Sequence, residues 1–234
     1  MLIKLILLLF LAHLLSDFIF QSQSMSNKKK EKIFTWHHLK HVIVVGVLSY
    51  LASLNINFWI AAIILAILHL LTDIAKSALQ LKYPTKNFFF IDQAIHILII
   101  GGVALIYSFI HSIYFLFNIE LSSLITIIGF VFITKPTNII IANLLNVFEI
   151  EIPETTKKDE SLPNAGKLIG IVERILVLSL IFIGVFASIG LILAAKSILR
   201  FNDTQKSEYV LVGTLLSFGF AVLIGIFITQ IILK

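Results

Sequence analysis

Long apolar runs of about 15 to 25 residues, set apart by short polar segments, dominate this chain. Such runs have the length of helices that cross hydrocarbon, whereas a membrane β-barrel would alternate over segments of about ten residues. The pattern predicts membrane segments at Leu2–Gln21, His41–Leu54, Phe58–Thr72, Gln93–Phe117, Leu121–Ile133, Leu168–Ala195 and Tyr209–Leu233. The second and third are short, and Asn55-Ile56-Asn57 joins them as a turn, which suggests a tilted hairpin. Lys135-Pro136-Thr137-Asn138 interrupts a further apolar stretch. Its second piece, Ile139–Val147, is too short to span alone and reads as an interfacial helix or as the far side of a kink. Leu2–Phe20 has the look of a signal peptide, but it carries His13 and Asp17, lacks a small-x-small cleavage site and is followed by more spans. It reads as a mature helix. The expected fold class is therefore all-α, a polytopic transmembrane helical bundle of about six to seven segments.

Composition supports that class. Of 234 residues, 59% are hydrophobic and only 13% are charged, too few for the surface of a soluble domain of this length. The chain has no cysteine, which excludes disulfides, thiolate catalysis and cysteine-ligated metal. The net charge of +5 comes from lysines dispersed over loops, so it points to topology and not to nucleic acid. The expected organisation is an N-terminal helical membrane domain (1–148), a polar cytoplasmic linker (149–167) with Pro153 and Pro163, and a C-terminal helical hairpin (168–234). With the N-terminus outside and the C-terminus in the cytoplasm, the loops holding Lys28, Lys29, Lys30, Lys32, Lys40, Lys76, Lys82 and Lys86 fall inside. The basic loop from Lys196 to Lys206 fits that orientation least well.

The polar exceptions inside the apolar runs are regularly spaced. His13/Asp17, His37/His41, His69/Asp73 and Asp92/His96 are all i, i+4 pairs, which share one helix face. Charge in hydrocarbon is expensive and usually marks function. In an up-down-up-down arrangement, the end of the first segment, the start of the second, the end of the third and the start of the fourth lie on one side of the membrane. The sequence therefore predicts a polar site just inside the cytoplasmic face. Its candidate metal ligands are His13, Asp17, His41, His69, Asp73, Asp92 and His96. Imidazole and carboxylate suit a divalent metal, zinc first, with manganese or iron as alternatives. Asp17, Asp73, Asp92 and Lys76 are candidates for catalytic roles, and Gln21, Gln93 and Lys76 for contacts to substrate or to the ligands. The plainer reading of the same residues is a buried hydrogen-bonded network or a proton pathway. His37 and His38 read as a solvated loop and His111 as structural or interfacial. In the C-terminal half, Gly166 and Gly170 have small-xxx-small spacing, and Glu173, Arg174, Lys196, Arg200 and Glu208 read as topology anchors and interhelix ion pairs.

The pattern His13-x3-Asp17-Phe18-x2-Gln21, then His41, His69-x3-Asp73-x2-Lys76 and Asp92-Gln93-x2-His96 resembles the bacterial domain-of-unknown-function family 3307. So do Gly166-Lys167-x-Ile169-Gly170-x2-Glu173-Arg174, Ala195-Lys196-Ser197-x2-Arg200-Phe201 and Glu208-Tyr209-x3-Gly213-Thr214-x2-Ser217. The resemblance, over nearly the whole chain, implies a bacterial inner-membrane protein and no particular activity. Three functions fit the residues: a metal-dependent hydrolase acting on a lipid-like substrate, a cation or proton transporter, or a non-catalytic membrane scaffold. The expected partners are the lipid bilayer and such a substrate.

Overall fold

A computed structural model describes residues 1–150, 165–200 and 207–232. The linker residues 151–164, Lys206, and the side chains of Arg200, Glu208 and Tyr209 lie outside that set. Every regular element among the described residues is helical. The chain divides into two compact units, Met1–Ile128 and Gly129–Lys234.

The first unit is built on four helices. They are α1 (Leu2–Leu14), which runs on as a π turn over Leu15–Phe20, α3 (Trp36–Ser53), α4 (Trp59–Lys82) and α5 (Phe89–Ile110). A short α2 (Gln23–Lys29) lies between the first two. α1 packs on α3 and α5, and α4 packs on α3 and α5, which closes a four-helix ring. The ring follows from one buried stripe per helix at helical spacing. In α4 that stripe is Ala62, Leu65, His69, Asp73 and Ser77, and in α5 it is Asp92, His96, Ile100, Val103 and Tyr107. Each stripe changes character along its length. The apolar parts meet as a core of Leu5, Leu9, Val45, Phe58, Leu65, Ile100 and Ala104 at one end. The polar parts meet at the other.

Outward faces are apolar: Ile43, Val47, Ile63, Ile67, Leu98 and Ile106 are all exposed. Exposed apolar surface on this scale suits lipid and not water. Among the described residues, four helices are long and apolar enough to cross a membrane: Leu2–Phe20, Ile56–Lys82, Phe89–Ile110 and Leu211–Ile232. A fifth follows if α6 (Leu121–Phe132) and α7 (Lys135–Val147), bent by 50° at their junction, count as one span. This is consistent with a membrane protein.

Several boundaries differ from the sequence reading. α4 continues to Lys82, so Asp73 and Lys76 sit within a helix and not in a loop. α5 stops at Ile110, because His111 turns extended. The segment expected from Leu168 to Ala195 is two helices, α8 (Ala165–Ile183) and α9 (Phe186–Arg200). Gly184, at φ +80°, is the cause. Its N–H bonds the Ile181 carbonyl at 3.1 Å and the Val185 N–H bonds that of Leu180 at 3.0 Å, which is the glycine-terminated helix end of a Schellman motif.

In the second unit, α10 (Ser207–Ile232) packs on α8 and α7. Arg174 of α8 is buried there, and each of its three nitrogens donates. Its Nε donates to the Ile133 carbonyl at 2.5 Å, Nη2 to the Thr134 carbonyl at 3.1 Å and Asn138 Oδ1 at 2.6 Å, and Nη1 to Ser217 Oγ at 2.8 Å. Thr134 and Thr137 hydroxyls take the Val131 and Phe132 carbonyls at 2.6 and 2.7 Å. The Val131, Phe132, Ile133 and Thr134 carbonyls at the C-terminal end of α6 thus have donors, and the cation lies at the negative end of the helix dipole. The Gly166/Gly170 spacing does not serve helix approach. A methyl at Gly170 would meet Arg174 Nη1 at 3.2 Å, and one at Gly166 would meet nothing. Lys196 pairs with Glu173 at 2.5 Å, as an interhelix ion pair.

Candidate metal centre

The polar halves of the four stripes place His13, Asp17, His41, His69, Asp73, Asp92 and His96 in one cluster in the first unit. The histidines, Asp73 and Asp92 are all at most 4% exposed. The i, i+4 spacing delivers them to the interior, and the π turn adjusts one of them. Gln21 N–H reaches the Ser16 carbonyl at 3.1 Å, an i−5 bond that widens the helix around Asp17. π turns of this kind recur at functional sites.

Asp17 Oδ1 is the hub. It lies 3.5 Å from His13 Nδ1, 3.4 Å from His41 Nε2 and 3.5 Å from His69 Nε2. His41 Nε2 and His69 Nε2 face each other at 3.1 Å. Asp73 Oδ2 stands 3.8 and 3.9 Å from the same two nitrogens. Most of these separations are longer than hydrogen bonds. They match the edges of a coordination polyhedron: bonds of about 2.0–2.1 Å at tetrahedral angles put ligand atoms about 3.3 Å apart.

The hydrogen bonds around the hub fix which nitrogens of His13 and His96 carry protons. Gln93 Nε2 donates to Asp92 Oδ2 at 3.1 Å, so Gln93 Oε1 is what faces His13 Nε2 at 3.2 Å. His13 therefore carries its proton on Nε2 and turns a bare Nδ1 toward the Asp17 carboxylate. His96 Nδ1 donates to the Asp92 carbonyl at 2.7 Å, which leaves a lone pair on Nε2. Both patterns are those of metal-binding histidines, whose second nitrogen is held by a carbonyl or amide oxygen. The rings pack closely, His96 lying 3.9 Å from His69 and stacked on His13 at 5.4 Å between centroids.

Two lysines balance part of the charge. Lys76 donates to Asp92 Oδ2 at 2.6 Å, and Lys29 pairs with Asp73. With its amide turned to match donors with acceptors, Gln21 accepts from Lys29 Nζ at 2.8 Å. Sequence spacing offered no signal for Lys29. It lies in the run Lys28-Lys29-Lys30, which looks like a solvated face, yet it is only 7% exposed. Burial lowers the ammonium of the adjacent Lys30 below its ordinary value, with repulsion from Lys76 as the second cause.

His38 also differs from the sequence reading. It is fully buried, not solvated. Thr35 N–H donates to His38 Nδ1 at 3.1 Å, so the histidine plays the part that Glu plays in a capping box. Its Nε2 then donates to Ser77 Oγ at 3.1 Å, and Ser77 donates to the Lys29 carbonyl at 3.0 Å. His38 thereby seats the chain that delivers Lys29 to Asp73. His37 does not join the cluster. His111 lies beyond the far end of α5, against Tyr107 with ring centroids 4.9 Å apart.

Among the described residues, three sets each bring ligand atoms within 4.8 Å of one another: His13, Asp17 and His69; His41, His69 and Asp73; Asp73, Asp92 and His96. Buried histidine and carboxylate groups in this arrangement can hold a metal ion. No curated protein and no solved structure matches the chain. The sequence profile described as "Protein of unknown function (DUF3307)" matches residues 5–125, the stretch that carries every residue of the cluster. The chain belongs to the DUF3307 family.

Proposed function

We propose that this protein is an integral membrane, metal-dependent hydrolase whose site opens near the cytoplasmic face and takes a lipid-like or amphiphilic substrate. One observation carries the reading: Asp17 Oδ1 faces nitrogens of His13, His41 and His69 at 3.4–3.5 Å, the bare Nδ1 of His13 among them. Ser16 donates to the same oxygen at 3.0 Å and His41 and His69 share a hydrogen bond at 3.1 Å, and imidazole and carboxylate atoms grouped so closely suit a divalent cation. Asp17, His41 and His69 form the tightest trio, and His13 and Asp73 flank it. Three protein ligands and an open position are the arrangement of catalytic zinc sites, while manganese or iron would accept the same atoms.

Zinc bound there would lower the pKa of a coordinated water toward neutrality. The chain's own groups supply the rest. Asp73, held by Lys29, flanks that position as a further carboxylate ligand. Lys76, partly exposed beside Asp92, is placed to meet an anionic group of the substrate. An apolar groove between α3 and α4, lined by Val42, Gly46, Tyr50, Trp59, Ile63 and Leu70 on the outward face, offers an acyl chain a place to lie.

The lysines around this end favour the cytoplasmic side of the membrane, with the N-terminus outside, and the family resemblance favours a bacterial inner membrane. The runner-up, a cation or proton transporter, needs a polar route through the far half of the ring. Leu5, Leu9, Val45, Leu65 and Ile100 fill that half. Purified protein in lipid vesicles, loaded with zinc and offered carboxylic and phosphoric ester lipids, tests the reading. Turnover that disappears in Asp17→Asn is expected. Zinc-loaded protein that cleaves none of them but carries zinc or protons across the vesicle wall would contradict it.

A further inference from the structure

Two atoms in the cluster remain unmatched. Asp92 Oδ1 and His96 Nε2 are buried and have no hydrogen-bond partner. Both are acceptors: Nε2 because Nδ1 already donates to the Asp92 carbonyl, and Oδ1 because Lys76 and Gln93 both bind Oδ2. A buried acceptor without a donor costs about 1–3 kcal/mol. Their missing partner must bring positive charge or hydrogens.

Asp92 and His96 also belong, with Asp73, to a trio whose ligand atoms lie within 4.8 Å of one another. Asp73 is common to this trio and to the one with His41 and His69. We propose a second, weaker divalent-cation position at Asp92 and His96, joined to the first by Asp73 as a bridging carboxylate. This rests on the reading that the Asp17 hub holds the first ion.

Charge sets the order of filling. Asp17, Asp73 and Asp92 face Lys29 and Lys76, which leaves one negative charge uncompensated. The first dication reverses that sign. The second therefore enters only when Lys76 gives up Asp92, and the Lys76 side chain, 28% exposed, has solvent to move into. Lys76 thus acts as a built-in competitor. A second ion would place two metals on either side of one carboxylate, the layout of hydrolytic sites with metals about 3.5–4 Å apart.

Manganese titration of the metal-free, full-length protein in detergent tests this, with calorimetry for stoichiometry and electron paramagnetic resonance for metal–metal coupling. The expected result is two ions per chain, the second at least about tenfold weaker because it meets a site already positive. A spin-coupled signal appears only above one equivalent. His96→Gln keeps the first ion and loses the second. Lys76→Met tightens the second about tenfold or more by removing its competitor. Saturation at one ion per chain in both wild type and Lys76→Met, without coupling, would overturn the second position and leave the first intact. Binding of no ion by folded wild-type protein would overturn both.

Discussion

Each unit buries charge, and the two resolve it in opposite ways. In the second unit, all three nitrogens of Arg174 find acceptors, and the Val131, Phe132, Ile133 and Thr134 carbonyls at the end of α6 find donors. The first unit collects seven histidine and aspartate side chains, and two of its buried acceptors have no hydrogen-bond partner. A saturated buried charge is a structural joint. An unsaturated cluster held in place by its own supporting bonds has atoms left to offer a ligand. The contrast predicts that mutations in the two places will differ in kind as well as in size.

The largest effect expected is on metal affinity. His69→Ala removes a nitrogen that belongs to two of the ligand trios, and affinity should fall by more than about 100-fold in calorimetric titration. Folding of the helical ring should persist, because the apolar core at the other end is untouched. Arg174→Met should do the reverse. It strands carbonyls at the end of α6 and should cost about 3 kcal/mol of stability in denaturant unfolding, with metal affinity unchanged. If Arg174→Met abolished metal binding in folded protein, the comparison would break.

Smaller changes sharpen it. Gln93→Leu leaves every ligand in place but frees His13 to move its proton to Nδ1, and metal affinity should drop about tenfold. Nitrogen chemical shifts of His13 should report the changed tautomer. The Lys196–Glu173 pair is an outlying contact. Lys196→Ala should cost no more than about 1 kcal/mol, measured in the same unfolding experiment.

Much of this was legible in the sequence, for a physical reason. Helical periodicity is local, so His13/Asp17, His69/Asp73 and Asp92/His96 announced a shared face before any packing was known. The alternation of helix directions then forced their ends together. What stayed hidden depends on contacts between distant segments or on single dihedral angles. Lys29 reaches Asp73 only because Thr35, His38 and Ser77 pin the loop, and a lysine run gives no hint of that. Arg174 looked like an anchor because nothing in its neighbours reveals that it caps a helix some forty positions earlier. Gly184 ended a helix that hydropathy alone continues, since hydropathy is blind to φ. The π turn at Asp17 was equally invisible, although its outcome, an i, i+4 contact, was expected.

The central claim is that the Asp17 hub is a metal site. Elemental analysis of the purified full-length protein, grown and purified without chelator, tests it most directly. The account predicts at least about one tightly held transition-metal ion per chain in wild type and in Arg174→Lys, and loss of that ion in His69→Ala. Folded wild-type protein that carries no such ion and takes none up from zinc, manganese or iron solutions would contradict it.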